Sequence, residues 1–318
     1  MKLSILSCLL LFILSPSCSS PKEPQTTGDL SEKTNIIFIL SDDHRYDFMG
    51  FMNKVPFLET PNMDRMAKEG AHLKNAFVTT SLCSPSRASI LTGKYTHHHG
   101  VVDNQSLVPG GTTFFPAYLQ EQGYETAYIG KWHMGEHNSN PRPGFDFWAS
   151  FRGQGHYWNS VFNVNGTEEK PSDSTYVTNA ITYYYNRFLE NLQNDKPFFM
   201  YISHKGVHAE FIPSPEHKGS YAEEPISYPP TMYPPGHEKA TVSAEEYNYE
   251  DVPEWVKKQR YSWHGVDFMY HGQTDFEQFY RDYCETLRGV DESIGAIIQT
   301  LEAKGLMENT LIVYMCDN

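Results

Sequence analysis

Short apolar runs of strand length alternate with amphipathic segments of helical length along most of the chain. A continuous apolar run bounded by turn residues is typical of a buried strand, whereas apolar residues three and four positions apart are typical of a helix. The predicted strands are residues 35–40, 124–129, 197–203 and 310–315. The predicted helices are residues 61–69, 113–122, 175–192 and 276–304, of which the first follows Thr60 and three end at Gly70, Gly123 and Gly305.

This alternation predicts an α/β fold in one large domain. Strands that are joined through helices run parallel, and a parallel sheet needs helices on both faces. We therefore expect a mostly parallel central sheet with helices on both faces. Residues 209–275 interrupt the rhythm with many Pro, Tyr, Trp and His residues, which predicts a loop-rich insertion. Its aromatic residues either pack onto the body of the domain or stack on sugar rings: Tyr247, Trp255, Tyr261 and Trp263.

The amino terminus has the pattern of an export signal. Met1-Lys2 precedes an apolar run, residues 3–14, that is too short to span a bilayer. Cys18 follows this run and is either a lipid attachment site or part of an ordinary signal-peptide cleavage region. We expect a signal peptide at 1–17, a flexible tether at 18–33 and a folded domain at 34–318. The protein would then be periplasmic or anchored to the outer membrane as a lipoprotein.

The charge and the cysteine content exclude two classes of protein. A formal net charge of −14 argues against a general nucleic-acid binder. Five cysteines are present, but Cys8 lies in the predicted signal peptide, and the sparse remainder is no disulfide framework. Cys284 and Cys316 are predicted to be small buried apolar residues.

Polar side chains follow all four predicted strands. They are Asp42 and Asp43, Lys131 and His133, His204 and His208, and Asp317 and Asn318. Ligands of open α/β sheets bind beyond the carboxyl ends of the strands, so these groups are expected to converge. The two aspartates of the first strand, with Asp317 and Asn318, offer oxygen ligands that suit a hard cation, Ca²⁺ as first choice and Mg²⁺ as the alternative. An Asp-Asp pair after a strand is also a common helix cap or solvated turn.

The segment Cys83-Ser84-Pro85-Ser86-Arg87 places a thiol and a guanidinium at the start of a short helix. Pro85 suits the first helical position and Gly93 the residue after the end, so the helix is predicted to begin one or two residues after Cys83. Free N–H groups there, with Arg87, would hold sulfate or phosphate. The residues alone fit equally well a buried cysteine before an ordinary capped helix.

Three motifs resemble those of the type I sulfatases, which have an alkaline-phosphatase-like fold. Cys83 to Arg87, with Leu91-Thr92-Gly93, resembles the first signature, and residues 130–135 resemble the second. Residues 203–208 resemble the histidine segment, although Val207 stands where many relatives have proline. The resemblance implies a catalytic domain that hydrolyses sulfate monoesters of sulfated glycans. Relatives continue beyond the position of Asn318 with a smaller C-terminal subdomain, which we expect to be missing here.

The resemblance also implies a role for each matching residue. A maturation enzyme would oxidise Cys83 to formylglycine, and Arg87 and Lys131 would bind sulfate oxygens. His133 would orient the formylglycine and take its proton, and His208 would protonate the leaving alcohol. Asp317 would assist deprotonation of the attacking hydroxyl, whereas His204 is expected to be structural. The implied metal ligands are Asp42, Asp43, the oxygen of modified Cys83, Asp317 and Asn318.

Two other functions are compatible with these motifs. A phosphoester or phosphonate hydrolase of the same superfamily would have the same metal ligands. A non-catalytic lipoprotein that binds sulfated sugars would keep the same motifs. His97-His98-His99 invites interpretation as a metal cluster. Three consecutive histidines cannot all face one ion from a regular element, so a turn is predicted there.

Overall fold

The computed structural model describes residues 33–135, 138–172, 174–192, 196–228, 253–259 and 275–318. The predicted signal peptide, all but the last residue of the tether and most of the predicted insertion lie outside these ranges. The compact unit that they form comprises Thr34–Asn318. No helix in the described ranges is both long enough and apolar enough to cross a membrane.

A seven-stranded sheet is the centre of this unit. Its strands are β1 Asn35–Ser41, β2 Glu125–Lys131, β3 Phe147–Phe151, β4 Phe162–Val164, β5 Thr167–Glu169, β6 Phe198–Ser203 and β7 Thr310–Cys316. Their order across the sheet is β5-β4-β3-β2-β6-β1-β7. The neighbouring strands β3, β2, β6, β1 and β7 pair in parallel, and β4 and β5 add an antiparallel edge.

The helices that the structure describes are α1 Pro61–Glu69, α2 Cys83–Thr92, α3 Thr96–His99, α4 Phe115–Glu121, α5 Val177–Glu190, α6 Glu254–Gln259 and α7 Phe276–Ala303. Short 3-10 turns occur at Gly50–Met52 and Met307–Asn309. The helices α2 and α4 lie in the crossover from β1 to β2, and α7 precedes β7 in the crossover from β6. Such connections are what parallel strands require.

Alternate residues of the central strands enter two separate cores. Ile37 and Ile39 of β1 lie in a large core with α5 and α7, and Leu40 lies in a second core with Ala88 and Leu91 of α2. Because successive side chains of a strand point to opposite faces, the two cores must lie on opposite faces of the sheet. The predicted mostly parallel sheet with helices on both faces is thus confirmed. Cys284 is fully buried in the larger core.

The predicted elements agree with the structure except at some ends. The helix at Cys83 begins at that residue rather than one or two residues later. Pro85 is tolerated at the third position because the N–H groups of the first turn have no partner within the helix, so the N–H that proline lacks is not needed. The predicted helix 113–122 is shorter, and β2 continues to Lys131. The strands β3, β4 and β5 were not predicted, because β4 and β5 have only three residues each and carry no clear period.

The register of the parallel strands brings their carboxyl ends to one edge. Ser41 of β1 pairs with Cys316 of β7, and Ser203 of β6 pairs with Gly130 of β2. Gly130 has φ +108°, and a Cβ atom there would lie 1.9 Å from the carbonyl oxygen of Ser203. Only glycine fits this close approach. The residues that follow β1, β2, β6 and β7 therefore meet in one place.

Candidate active site

Three carboxylates that are far apart in sequence meet beyond the strand ends. Asp42, Asp43 and Asp317 each place a carboxylate oxygen within 4.8 Å of the others. Asp42 and Asp317 are fully buried, whereas Asp43 is half-buried. The backbone N–H of Asp43 donates to Asp317 Oδ1 at 3.2 Å, and Asn318 Nδ2 donates to the same oxygen at 3.2 Å and to Asp43. The sequence expectation that these four residues converge is confirmed by their contacts.

Two buried basic side chains balance part of this negative charge. Arg87 Nη2 donates to Asp317 Oδ2 at 2.7 Å and lies 3.3 Å from Asp42 Oδ1. Its Nη1 donates to the carbonyl oxygen of Lys131 at 2.8 Å and to Ser203 Oγ at 2.6 Å. Lys131 donates through its ammonium to Asp42 Oδ2. Both basic residues are therefore engaged by protein groups, and Arg87 joins α2 to the ends of β2, β6 and β7.

The same charges shift the pKa values of the carboxylates in opposite directions. Burial opposes ionisation of Asp42, yet Lys131 and Arg87 hold its pKa below the usual range. Burial, together with the charge of Asp42, raises the pKa of Asp317 to about 8 and also raises the pKa of Asp43. Close carboxylates cannot all ionise without a compensating cation.

The cluster fits a divalent cation by its own chemistry. Asn318 Oδ1 is buried and has no hydrogen-bond partner among the described residues. This unsatisfied oxygen lies beside three carboxylates whose oxygen atoms are the ligands that Ca²⁺ and Mg²⁺ prefer. Buried polar atoms are normally hydrogen-bonded in folded proteins, so this oxygen is available as a further ligand for a cation.

Cys83 is the first residue of α2 and lies next to this cluster. Its Sγ is 3.6 Å from Asp42 Oδ1 and 3.9 Å from Asn318 Nδ2, and the side chain is buried. Burial, with the charge of Asp42 as the next cause, raises the pKa of the thiol to about 12. The helix N-terminus would favour a thiolate, but burial and the aspartate outweigh it. The unmodified thiol is consequently protonated at neutral pH and is a poor nucleophile.

His133 is buried at the same edge of the sheet. Its spacing of two from Lys131 predicts side chains that point the same way if the segment is extended. The backbone is not extended at His133, which has φ +53° in the left-handed region. Ser84 Oγ of α2 donates to the carbonyl oxygen of His133 and holds this turn. Burial, followed by the charge of Lys131, lowers the pKa of His133 to about 2.

His208 completes the set of residues near Cys83. One ligand atom each of Asp42, Cys83 and His208 lie within 4.8 Å of one another, and His208 Nε2 is 3.7 Å from Asp43 Oδ2. Its Nδ1 contacts the carbonyl oxygen of Ala209. Burial lowers the pKa of His208, although the charge of Asp42 opposes the shift. The geometry places an imidazole between the carboxylates and the adjoining cavity.

The remaining histidines lie outside this cluster. His204 is fully buried, and neither ring nitrogen has a hydrogen-bond partner among the described residues, so its structural role stays a prediction. His97, His98 and His99 form the last three residues of the single-turn helix α3, which agrees with the predicted turn. His99 is buried, with its Nε2 2.9 Å from Ser89 Oγ, and His97 and His98 are exposed.

A cavity of about 480 Å³ adjoins the cluster and reveals residues that sequence reasoning missed. The polar residues that line it are Asn104, Gln105, His133, Gln154, His156, Tyr157, Lys205, His208 and Glu210. Asn104 also accepts a hydrogen bond of 3.0 Å from the backbone N–H of Ser84. Lys205 stood inside a recognised motif, so its position was a usable signal. The residues from loops had no such signal, because loops carry no periodicity.

Comparisons with known proteins agree with this site. Residues 34–318 match the sequence model of the sulfatase family. The chain is 31% identical to the N-acetylglucosamine-6-O-sulfatase of Bacteroides thetaiotaomicron, covering 95% of this chain and 60% of the relative. It is 27% identical to the ulvan-active sulfatase of Formosa agariphila, covering 95% of this chain and 53% of the relative. The chain thus spans between half and two thirds of the length of these two relatives.

Solved structures share the fold. A protein in complex with its substrate D-glucosamine-2-N,6-O-disulfate has a TM-score of 0.72 and 32% identity, covering 90% of this chain and 65% of that protein. A protein solved in complex with a neocarrahexaose has a TM-score of 0.65 and 25% identity, covering 90% of this chain and 59% of that protein. With the matching family model and the site geometry, these similarities lead to one conclusion. The chain belongs to the sulfatase family, the type I sulfatases of the alkaline-phosphatase-like superfamily.

Proposed function

We propose that this chain contributes the catalytic domain of a sulfatase that hydrolyses sulfate monoesters of sulfated glycans. The observation that carries the proposal is the convergence of Cys83, Asp42 and His208 within 4.8 Å, beside a cavity of about 480 Å³. The two relatives named above are an N-acetylglucosamine-6-O-sulfatase and an ulvan-active sulfatase, and one similar solved structure holds its substrate D-glucosamine-2-N,6-O-disulfate. These similarities support a sulfated sugar as the substrate.

Cys83 is proposed to be oxidised to formylglycine by a maturation enzyme. Once formed, the hydrated aldehyde would supply two hydroxyl groups at this position, one to attack sulfur and one whose deprotonation would restore the aldehyde and release sulfate. The high pKa of the unmodified thiol supports this assignment, because a protonated buried thiol is a poor nucleophile. The position at the start of α2 also supports it, since a sulfate bound there meets the positive end of the helix.

Asp42, Asp43, Asp317 and Asn318, with the oxygen of modified Cys83, are proposed to hold a divalent cation, Ca²⁺ as first choice and Mg²⁺ as the alternative. The cation, when bound, would polarise a sulfate oxygen and stabilise the negative charge that grows in the transition state. The unsatisfied Oδ1 of Asn318 and the crowded carboxylates support this assignment.

The remaining residues move protons or hold other groups in position. His208 is proposed to donate a proton to the oxygen of the leaving alcohol, and His133 to accept a proton when sulfate is expelled. Asp317 is proposed to assist deprotonation of the attacking hydroxyl. Lys131 and Arg87 are proposed to face the sulfate as positive charges. The contacts of Arg87 with Asp317 and Asp42 add a positioning role.

Peptide mass spectrometry across Cys83, in protein purified from its native host, tests the proposal together with a sulfate-release assay. We expect an aldehyde at Cys83 and release of sulfate from glucosamine 6-sulfate, with both signals absent in Cys83→Ala. His208→Ala should keep the aldehyde and lose about a hundredfold or more in rate, as expected for loss of a general acid. Faster hydrolysis of glucosamine 6-phosphate than of the sulfate would favour the phosphoester hydrolase. A thiol at Cys83 with retained sugar binding would favour the non-catalytic protein.

We also propose that the protein is exported from the cytoplasm. We infer a signal peptide at 1–17, a tether at 18–33 and the catalytic domain at 34–318, with a periplasmic location or a lipid anchor at Cys18. Growth of the native host with a labelled fatty acid tests the anchor. Label that is lost in Cys18→Ala supports a lipoprotein, whereas an unlabelled mature chain supports an ordinary signal peptide.

A further inference from the structure

Lys205 is a buried basic residue of the cavity that the reaction described above does not use. It follows β6, is 5% exposed and lines the cavity with His133 and His208. Its ammonium lies 4.8 Å from the centroid of the Tyr157 ring. Among the described residues its side chain has no ion pair and no hydrogen bond. Arg87 and Lys131 differ from it, since both donate directly to carboxylates of the cluster.

An ammonium in this position is costly without an anion. The face of one aromatic ring offsets only part of the cost of taking a charge out of water. Asp42, Asp43 and Glu210 act on Lys205 at longer range, and Lys131 opposes them. An anionic group inside the cavity would supply the direct partner that the protein does not provide.

The charge balance shows that this anion need not be the sulfate that is hydrolysed. Three carboxylates and two basic side chains surround Cys83, and a divalent cation would leave about one net positive charge there. A sulfate monoester carries a single negative charge, which already balances the net positive charge around Cys83. Lys205 adds a further positive charge on the wall of a cavity that is far larger than one sulfate group.

We propose that Lys205 binds a second anionic substituent of the sugar, a sulfate or a carboxylate, and thereby selects substrates with more than one negative charge. This inference rests on the proposed function and adds the substrate class to it. The ring of Tyr157 packs against the ammonium and fixes its position, and the hydroxyl of the same residue donates to the carbonyl oxygen of His208 at 2.6 Å. Tyr157 thus connects the second anion site with the proposed acid.

Binding to a chain that cannot turn over the sugar tests the inference without depending on activity. Calorimetry with Cys83→Ser protein, in the presence of Ca²⁺, would compare glucosamine 6-sulfate with glucosamine 2-N,6-O-disulfate and with a 6-sulfated sugar that carries a carboxylate. Lys205→Met retains the apolar stem and removes the charge. Lys218→Met is the matched control, because Lys218 is exposed and does not line the cavity. Thermal unfolding of each variant would verify that it folds.

We expect Lys205→Met to weaken binding of the doubly charged sugars about ten- to hundredfold, as for a lost charge-assisted hydrogen bond, and binding of the monosulfate less than about twofold. Lys218→Met should change neither. The sugar that loses more identifies the anion as sulfate or carboxylate. Equal losses for all sugars, or none, would overturn the inference while the proposed function stands. If the chain binds no sulfated sugar at all, both the inference and the proposed function are wrong.

Discussion

At the scale of single residues, burial changes what the chemical groups of the site can do. Cys83 is the proposed site of the reactive group, yet its surroundings raise the pKa of its thiol rather than lower it. Activated cysteines in other proteins have depressed pKa values and lie in electropositive, partly exposed positions. The environment of Cys83 therefore disfavours a thiolate.

The unmodified Cys83 should react slowly with alkylating reagents. With a pKa of about 12, roughly one thiol in ten thousand is ionised at pH 8, so the rate of iodoacetamide reaction should rise about tenfold per pH unit up to pH 10. Mass spectrometry of the peptide that contains Cys83, in protein made without the maturation enzyme and kept in chelator, measures this rate. A plateau of the rate below pH 10 would contradict the prediction.

Arg87 should be irreplaceable by lysine although the charge is kept. Its guanidinium reaches two carboxylates, a carbonyl oxygen and a hydroxyl, and a single ammonium cannot contact all four. We expect Arg87→Lys to lower the free energy of unfolding by about 2–4 kcal/mol in urea, because a buried charge network loses partners. Arg65→Lys is the control. Arg65 lies near the surface and pairs with Glu69 and Glu302, so Arg65→Lys should lower the free energy of unfolding far less than Arg87→Lys does.

At the scale of elements, one acidic residue of α7 holds the start of α1. Asp291 accepts hydrogen bonds from the backbone N–H groups of Asn62 and Met63, in the first turn of α1, and from Asn62 Nδ2. The free N–H groups of a helix start are thereby satisfied from another helix rather than from a local cap.

Removal of this contact should be costly. Asp291→Ala leaves buried N–H groups unsatisfied, and we expect it to lower the free energy of unfolding by about 2–3 kcal/mol in urea. The exposed Glu302, also on α7, supplies a matched change. Glu302→Ala should lower the free energy of unfolding by less than about 1 kcal/mol. Equal effects of the two substitutions would show that the cross-helix contact does not stabilise α1.

His204, which directly follows β6, should make the free energy of unfolding depend on pH. Burial lowers the pKa of His204 to about 4, from the ordinary value of 6.5 for a histidine in water. Between these values the unfolded chain binds a proton that the folded chain does not, so stability is present above pH 6.5 and is lost as the pH falls towards 4. The expected loss from this residue is about 3 kcal/mol.

His204→Leu isolates this effect, because leucine cannot be protonated. The difference in unfolding free energy between the variant and the wild type should shift by about 3 kcal/mol in favour of the variant when the pH falls from 7 to 4. Urea unfolding at several pH values measures it. The difference above pH 7 serves as the reference, since His204 is neutral there in both states. A difference that does not change with pH would refute the assignment.

At the scale of the whole molecule, the cluster of carboxylates ties together the two ends of the folded unit. Asp43 follows β1 and Asp317 follows β7, and their contact joins positions 274 residues apart. A cation bound by both should stabilise the complete domain, because the ligands exist together only in the folded state.

Addition of a divalent cation should therefore raise the melting temperature. At a concentration one hundred times its dissociation constant, the cation adds about 2.7 kcal/mol, which is roughly 5–10 °C for a domain of this size. Scanning calorimetry with Ca²⁺ and with Mg²⁺ would rank the two ions. Asp43→Asn should reduce the shift, and Asp103→Asn should leave it unchanged, since exposed Asp103 bonds only nearby Ser106 and Gln105 in the described contacts. A melting temperature that neither ion changes would contradict the metal assignment.

The sequence by itself determined the parallel core of the fold and the identity of most site residues. The strand β1 is an unbroken apolar run, and Gly70 and Gly305 stop helices, because period and turn chemistry act over a few residues. Asp42, Lys131, His208 and Asp317 were located because the carboxyl ends of parallel strands meet at one edge.

Only the tertiary structure decided which charges are paired and which groups are desolvated. Lys131 donates to a carboxylate and Lys205 faces the cavity, although both follow strands of the same sheet. The pKa of Cys83 and the left-handed turn at His133 depend on α2, β1 and β2 packing together. The physical reason is that burial and electrostatic partners are set by residues distant in sequence, whereas local pattern reports only on neighbours along the chain.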